Sequence, residues 1–256
     1  MATTSISDDT LARALGVYAG MVDRVLGDPV RWLGADEDLP RTAGLPRRAL
    51  DAVRDRTLGK LNPTTAGWQQ QPVEKRVDWW VARIGISAGL AAAAPRVAGL
   101  LADRVPLQAA LGASAAGLAV CAAAREHGLT EAVDWVPLLA KVIFDRELAP
   151  RADAVPPVQE SEQALDAPVT EAEDAPATEG PGRMAGLGRG AARAAQTLWR
   201  LARTFLELQH LLDERPRGGF FARTLAKLPV VGLAGGWLDE RGAIRKAANQ
   251  TTALLA

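Results

Sequence analysis

The sequence predicts an all-α protein: a helical bundle with an Ala- and Gly-rich apolar hairpin, interrupted by a disordered acidic linker. Three observations support this prediction. Apolar residues recur at helical spacing in several segments, no segment alternates as a strand would, and residues 84–124 contain only three charged side chains. Because such an apolar run avoids water, it is expected to lie inside either protein or lipid.

Residues 1–72 are predicted to form an N-terminal helical segment with loops. The first helix begins near Asp8 or Asp9 and ends at Gly27-Asp28-Pro29. Its apolar residues follow spacings of 4, 3, 4 and 3, which mark one face of a helix: Leu11, Leu15, Tyr18, Val22 and Val25. Residues 29–45 are interpreted as a loop. A short helix is predicted to begin at Pro46, where the missing N–H of proline costs nothing.

Residues 73–149 are predicted to form the apolar hairpin core. One helix begins near Pro72 and ends or kinks at Pro95, and a second, Ala-rich helix begins at Pro106 and stops at Gly128. Asp103-Arg104 is interpreted as the turn between them. Thr130 is the predicted N-cap of a further helix that continues to Leu148.

The sequence is compatible with either lipid or protein around the hairpin. Residues 105–124 are 20 residues without a charge, which is the length that crosses a bilayer. Few of them, Leu111 and Leu118 among them, are strongly apolar, so insertion is predicted to be marginal. Gly85 and Gly89 have the spacing that allows helices to approach closely. A membrane span, a partly inserted hairpin and a tightly packed protein core are the three alternatives.

Residues 150–182 are predicted to be a disordered acidic, Pro-rich linker, because prolines lie among many Glu and Asp residues and no periodicity survives. The formal net charge of the chain is zero, yet residues 151–182 carry −7 and residues 183–256 carry +7. This contrast suggests the hypothesis that the linker folds back on the basic region and competes with lipid.

Residues 183–256 are predicted to contain a basic amphipathic helix and a Gly-rich C-terminal helical segment. On the first helix, one arc is basic: Arg189, Arg193, Arg200 and Arg203. The roughly opposite arc is apolar, with Trp199 at its flank: Leu198, Leu201, Phe205, Leu208 and Leu212. An interfacial helix uses this arrangement against anionic lipid, although a surface helix of a bundle also has a charged face.

The sequence shows no pattern of a conventional catalytic or metal site. Cys121 and His127 are six residues apart on a helix and would not form a nucleophile–base pair. Two histidines and one cysteine do not make a structural zinc site. We therefore predict no enzymatic activity, no cofactor and no nucleic-acid partner, and we identify no small-molecule substrate.

The apolar segments follow one another in a recognisable order. The apolar residues 84–99 lead into Ala-Asp-Arg-Val-Pro at residues 102–106, then into an Ala-rich helix that ends in Ala-Arg-Glu-His-Gly at residues 124–128. Leu-Pro-Val-Val-Gly follows at residues 228–232. This order resembles the EcsC-like bacterial proteins, which have Tyr where this chain has His127. The resemblance implies a helical, membrane-associated cytoplasmic protein of unsettled role, and it transfers no catalytic residues.

Together these features predict a non-enzymatic helical protein at the cytoplasmic face of a bacterial membrane. The hairpin would anchor it, and the basic helix would add attachment to an anionic membrane. The alternative is a soluble cytoplasmic scaffold or protein-interaction module, with a protein partner, in which the apolar run is an ordinary core.

Overall fold

The computed structural model describes residues 7–34, 62–93, 105–166, 189–213 and 236–256. Within these ranges every regular element is helical, which confirms the predicted all-α class. There are also two short 3-10 helices, Trp68–Gln70 and Ala152–Ala154. The α-helices are α1 Asp8–Gly27, α2 Pro29–Leu33, α3 Val73–Ala93, α4 Val105–Glu126, α5 Ala132–Phe144, α6 Val158–Asp166, α7 Arg189–Asp213 and α8 Gly236–Leu255.

Local capping explains the bounds of the first two helices. Ser7 caps α1 by accepting the backbone N–H of Thr10 at 3.2 Å. Asp28 ends α1 and caps α2, because its carboxylate accepts the N–H of Arg31 at 3.0 Å and Pro29 occupies the first turn. Residues 29–33 were expected in a loop and are helical instead. Buried packing of α2 stabilises a helix too short to be marked by periodicity.

The Ala-rich helix α4 lies at the centre of the described structure. It contacts α1, α3, α5, α7 and α8, and its side chains from Ala110 to Ala124 are buried throughout. Its small residues let neighbours approach closely: a Cβ on Gly117 would lie 2.9 Å from the ring of Tyr18. The Tyr18 hydroxyl donates to the carbonyl of Ser114 at 2.5 Å. This part of the apolar run is therefore enclosed by protein in this structure.

The helix α3 completes this core through a buried guanidinium. Arg83 is 3% exposed and donates to the carbonyl of Leu33 at 2.7 Å and to that of Gly34. Those carbonyls lie at the end of α2, where no intrahelical donor remains for them. Among the described helices, none combines the length and the apolar composition that a bilayer crossing requires.

The prediction of a disordered linker is wrong for its first half, residues 150–166. Residues 152–154 form a 3-10 helix and residues 158–166 form α6, which packs against α1. Two prolines precede α6, where they are tolerated, and Leu165 anchors it as a fully buried side chain. The sequence analysis missed α6 because the surrounding prolines and acidic residues predict disorder, and Leu165 is its one fully buried apolar side chain. The rest of the linker, residues 167–182, lies outside the described residues.

Several other bounds differ from expectation. The helix α5 ends at Phe144 rather than Leu148, because Asp145 adopts a left-handed conformation with φ of 52°. Its N-cap is Glu131 rather than Thr130. The last helix begins at Gly236 instead of Asp239. The predicted helix from Pro46, the 103–104 turn and the Gly-rich stretch before α8 lie outside the described residues.

The contact between α1 and the second 3-10 helix yields a test of the packing. Alanine favours a helix over glycine by about 1 kcal/mol. However, a Cβ on Gly16 would lie 2.0 Å from the carbonyl oxygen of Ala154, which is backbone and cannot rotate away. We expect Gly16→Ala to lower the free energy of unfolding by about 1–3 kcal/mol, measured by urea denaturation.

The matched control is Gly242→Ala in α8, where a Cβ would meet nothing within 4 Å. Here the helix preference acts alone, so we expect a gain of about 0.5–1 kcal/mol. Equal gains from both substitutions would show that residues 152–154 do not dock on α1.

Candidate functional site

The helix α7 turns its apolar arc into the protein core. Leu198 and Leu201 are fully buried, and Phe205 is 1% exposed. The Phe205 ring meets Tyr18 edge-on at 4.9 Å between centroids and stacks on Phe144 at 6.3 Å. These three residues were predicted to face a membrane. In this structure they pack against protein, because α7 contacts α1, α2, α3, α4 and α6. The side chains of Leu208 and Leu212 lie outside the described part of the chain.

The basic arc of α7 divides into a docked part and an outward part. Arg193 donates to the carbonyl of Val30 at 3.4 Å, and Thr197 donates to that of Trp32 at 2.7 Å, so both hold α7 on α2. Arg200 and Arg203 are half-buried. They belong to what we call the outer strip of α7, the exposed and half-buried side chains on the side away from its buried arc: Gln196, Trp199, Arg200, Arg203, Leu206 and Glu207. Trp199 and Leu206 also pack with part of their surface against the core. The Arg189 side chain is not among those described.

The predicted hairpin residues are placed in the interior as far as they are described. Gly85 is buried and Gly89 is half-buried on α3, while Leu111 and Leu118 are buried on α4. Asp103 and Arg104 fall outside the described residues. None of these glycines or leucines forms part of a polar site in the structure described.

A buried polar cluster, not anticipated from the sequence, lies where α3 meets the end of α4. Arg76 Nε and Glu126 Oε2 are 2.9 Å apart, and their side chains are only 9% and 7% exposed. This contact is an ion pair without the alignment of a hydrogen bond. Glu126 Oε1 accepts the indole N–H of Trp80 at 2.8 Å and that of Trp68 at 3.3 Å. We call these four residues the Trp–Arg–Glu cluster.

The remaining donors of Arg76 are used within the same region. Its Nη1 donates to Gln69 Oε1 at 2.7 Å, and its Nη2 donates to the backbone carbonyl of Glu126 at 2.9 Å. Trp79 packs edge-on between the other two indoles, at 5.5 Å from Trp68 and 5.0 Å from Trp80. The occurrence of Trp68, Trp79 and Trp80 within 13 residues is the one sequence feature that could have indicated this region.

The end of α4 is shaped by a glycine turn that positions Glu126. Gly128 has φ of +98°, a conformation that L side chains rarely adopt. The N–H of Leu129 donates to Ala124 O and that of Gly128 to Arg125 O, both at 3.0 Å, which closes a Schellman motif. The indole of Trp135 donates to Leu129 O at 2.7 Å and secures the turn.

A cavity of about 250 Å³ lies beside the Trp–Arg–Glu cluster. Trp68, Trp80 and Glu126 form one side of it, and Arg125 also lines it. The Nη1 atom of Arg125 is buried and has no hydrogen-bond partner. The Arg125 guanidinium therefore has an unsatisfied donor that is closed to a water-sized probe.

Other reactive side chains are arranged for packing. Burial raises the pKa of the Cys121 thiol well above its usual value, so the thiol stays protonated and weakly nucleophilic. Burial likewise raises the pKa of the Tyr18 hydroxyl. The described residues contain no group of three or more His, Cys, Asp or Glu side chains that could hold a metal ion.

No protein-family model, no curated protein and no solved structure matches this chain. The resemblance to the EcsC-like proteins therefore stays a prediction from the sequence.

Proposed function

We propose that this chain is a non-enzymatic helical protein-interaction module whose contact surface is the outer strip of α7. The observation that carries the proposal is the burial of Leu198, Leu201 and Phe205. Because the described part of the apolar arc is packed on protein, the outer strip is what the described side chains of this helix leave for a partner. The proposal corresponds to the scaffold alternative drawn from the sequence.

The composition of the outer strip supports a protein partner. Trp199 and Leu206 are half-buried, so each keeps apolar surface at the protein boundary, and Arg200 and Arg203 share their arc. Tryptophan and arginine are the residues that most often dominate binding energy at protein interfaces. A partner with an acidic and apolar surface would complement this strip.

A second candidate is attachment to an anionic membrane, favoured by the position of Trp199 beside two arginines. Each arginine near such a surface contributes about 1 kcal/mol. Arg200 and Arg203 would therefore supply only about 2 kcal/mol, and the exposed Glu207 opposes them. This magnitude makes the outer strip a weak lipid anchor, so we place the protein partner first.

Photo-crosslinking in cells tests the first candidate. With a photoreactive amino acid at Leu206, we expect one discrete adduct, and Trp199→Ala should weaken it at least about tenfold because truncating a central aromatic residue removes much of the binding energy. The same photoreactive residue at Gln250, which is exposed on α8, should give no such adduct. Trp199→Ala must keep its thermal midpoint for the comparison to count.

Fractionation separates the two candidates. A protein-interaction module should leave the membrane pellet in low salt. Two results together would instead support attachment to an anionic membrane: release from the pellet only in high salt, and binding to phosphatidylserine vesicles that Arg203→Gln abolishes. Retention through alkaline carbonate would contradict both, because it requires an inserted segment.

A further inference from the structure

We propose that the outer side of α5 is a dimer interface, on which a second copy of this chain packs its own α5 in the antiparallel direction. This inference goes beyond the proposed function, because it concerns another surface, and it holds whether or not the outer strip of α7 binds a partner. It rests on the composition of α5, on the exposure of its outer side and on the placement of its two charges.

The helix α5 is apolar on all of its sides. Of its 13 residues, only Asp134 and Lys141 are charged, and the rest are apolar. A helix with such a composition is normally buried all round. In the described structure α5 packs against α1, α4 and α8, and its buried side chains include Trp135, Leu139 and Ile143. The composition of α5 therefore suits the burial of a second side as well.

The outer side of α5 keeps apolar surface at the boundary of the described structure. Pro137, Leu138 and Val142 lie on it and are half-buried. Leu138 and Val142 use part of their surface against the core, and the rest is not covered by described residues. At about 100° per residue, these three positions span an arc of about 140° opposite the buried side. We call this arc, with Asp134 and Lys141 near its centre, the outer face of α5.

The two charges of the outer face are placed symmetrically about its middle. Asp134 and Lys141 are seven residues apart, so they project within about 20° of each other, and their midpoint falls between Pro137 and Leu138. When two such helices pack antiparallel about a two-fold axis through this midpoint, Asp134 of one copy meets Lys141 of the second copy, and symmetry forms the same pair again. Leu138 then packs on its own equivalent. One face thus supplies both partners of each ion pair and the apolar contact beside them.

Both charges are available for this pairing. Lys141 lies 3.2 Å from Asp145 and 3.4 Å from Glu147, but these carboxylate side chains are 89% and 88% exposed, so water weakens both pairs. Among the residues that the structure describes, Asp134 has no ion-pair partner. A second copy would bring an opposite charge to each of the two residues. An anionic lipid surface would attract Lys141 and repel Asp134, so it fits this face less well.

Sedimentation equilibrium of the full chain measures the association. One pair of helices buries less than the ~1,600 Å² of a standard interface, so we expect a weak dimer with a dissociation constant on the order of 10–100 µM. The mass should be that of one 27.0 kDa chain near ~1 µM and should approach twice that mass at several hundred µM.

Two substitutions then locate the interface. Asp134→Lys places like charges at both symmetric pairs, so it should weaken the dimer at least about tenfold. The matched control is Leu206→Ala on the outer strip of α7, which should leave the dimer unchanged. Leu138→Cys should form a disulfide between two copies when diamide is added, because the two-fold axis brings the equivalent positions within about 5–7 Å.

The control for the disulfide is Leu254→Cys on α8, at a side chain that is 51% exposed and far more accessible than Leu138, and it should give no such product. The native Cys121 is buried and does not compete. A chain that stays monomeric at several hundred µM overturns the proposal. A dimer that keeps its affinity in Asp134→Lys, or that Leu138→Cys does not cross-link, overturns it as well. If Asp134→Lys fails to fold, the wild-type mass and the Leu138→Cys cross-link still decide.

Discussion

Replacing Phe205 by alanine is expected to lower the free energy of unfolding by about 3–5 kcal/mol. The ring is 1% exposed and lies between Tyr18 and Phe144, so its removal leaves a cavity in the centre of the bundle. Urea denaturation measures the change. The buried Cys121 thiol offers a second readout, because a thiol reagent should reach it faster when the bundle opens.

This substitution also distinguishes the two uses of α7. If the apolar arc served lipid, Phe205→Ala would weaken vesicle binding and leave stability nearly unchanged. The matched control is Leu206→Ala, one residue further along the same helix and half-buried on the outer strip. We expect it to cost less than half as much stability as Phe205→Ala. A stable Phe205→Ala protein would contradict the packing described here.

Replacing Glu126 by alanine is expected to cost a similar amount, about 3–5 kcal/mol. The change leaves the buried Arg76 guanidinium without its counter-ion and removes the acceptor of the Trp68 and Trp80 indoles. The penalty comes mainly from an uncompensated charge on the Arg76 side chain, which is only 9% exposed. Denaturation with urea at constant ionic strength measures it.

A double substitution distinguishes the cost of leaving one charge unpaired from the net contribution of the ion pair. Arg76→Met combined with Glu126→Leu removes both charges together, so we expect it to cost less than Glu126→Ala alone. The matched control is the surface pair of Arg245 and Asp78, at 2.6 Å with side chains 51% and 47% exposed. Asp78→Ala should cost no more than about 1 kcal/mol. Equal costs at both pairs would show that Glu126 is not buried as described.

Local signals were sufficient to predict the bounds of α1 and the end of α4. The bounds of α1 follow from Ser7, the acidic first turn and Asp28-Pro29, all of which act within one helical turn. The Gly128 stop of α4 is likewise local, because only the backbone conformation of that residue matters. Short helices such as α6 were missed, since tertiary contacts of Leu165 and Ser161 hold them rather than propensity.

The candidate sites could not be predicted to the same extent. Glu126 lies 46 residues from Trp80 and 50 residues from Arg76, and no spacing rule joins residues so far apart. The outer strip could not be separated from the buried arc of α7 either. Leu206 and Leu201 carry the same side chain, and only the packing of neighbouring helices decides which one meets solvent.

Sequence patterns were sufficient to predict that this protein is helical, to locate its longer helices with some ends displaced by a few residues, and to predict that residues 84–124 avoid water. Only the packing of the helices shows that protein surrounds the described part of that run, and that Arg76 meets Glu126 beside Trp68 and Trp80. The physical reason is that helix periodicity and capping are short-range. Hydrophobic burial is non-directional, so an apolar face is equally satisfied by lipid or protein until the fold supplies a neighbour.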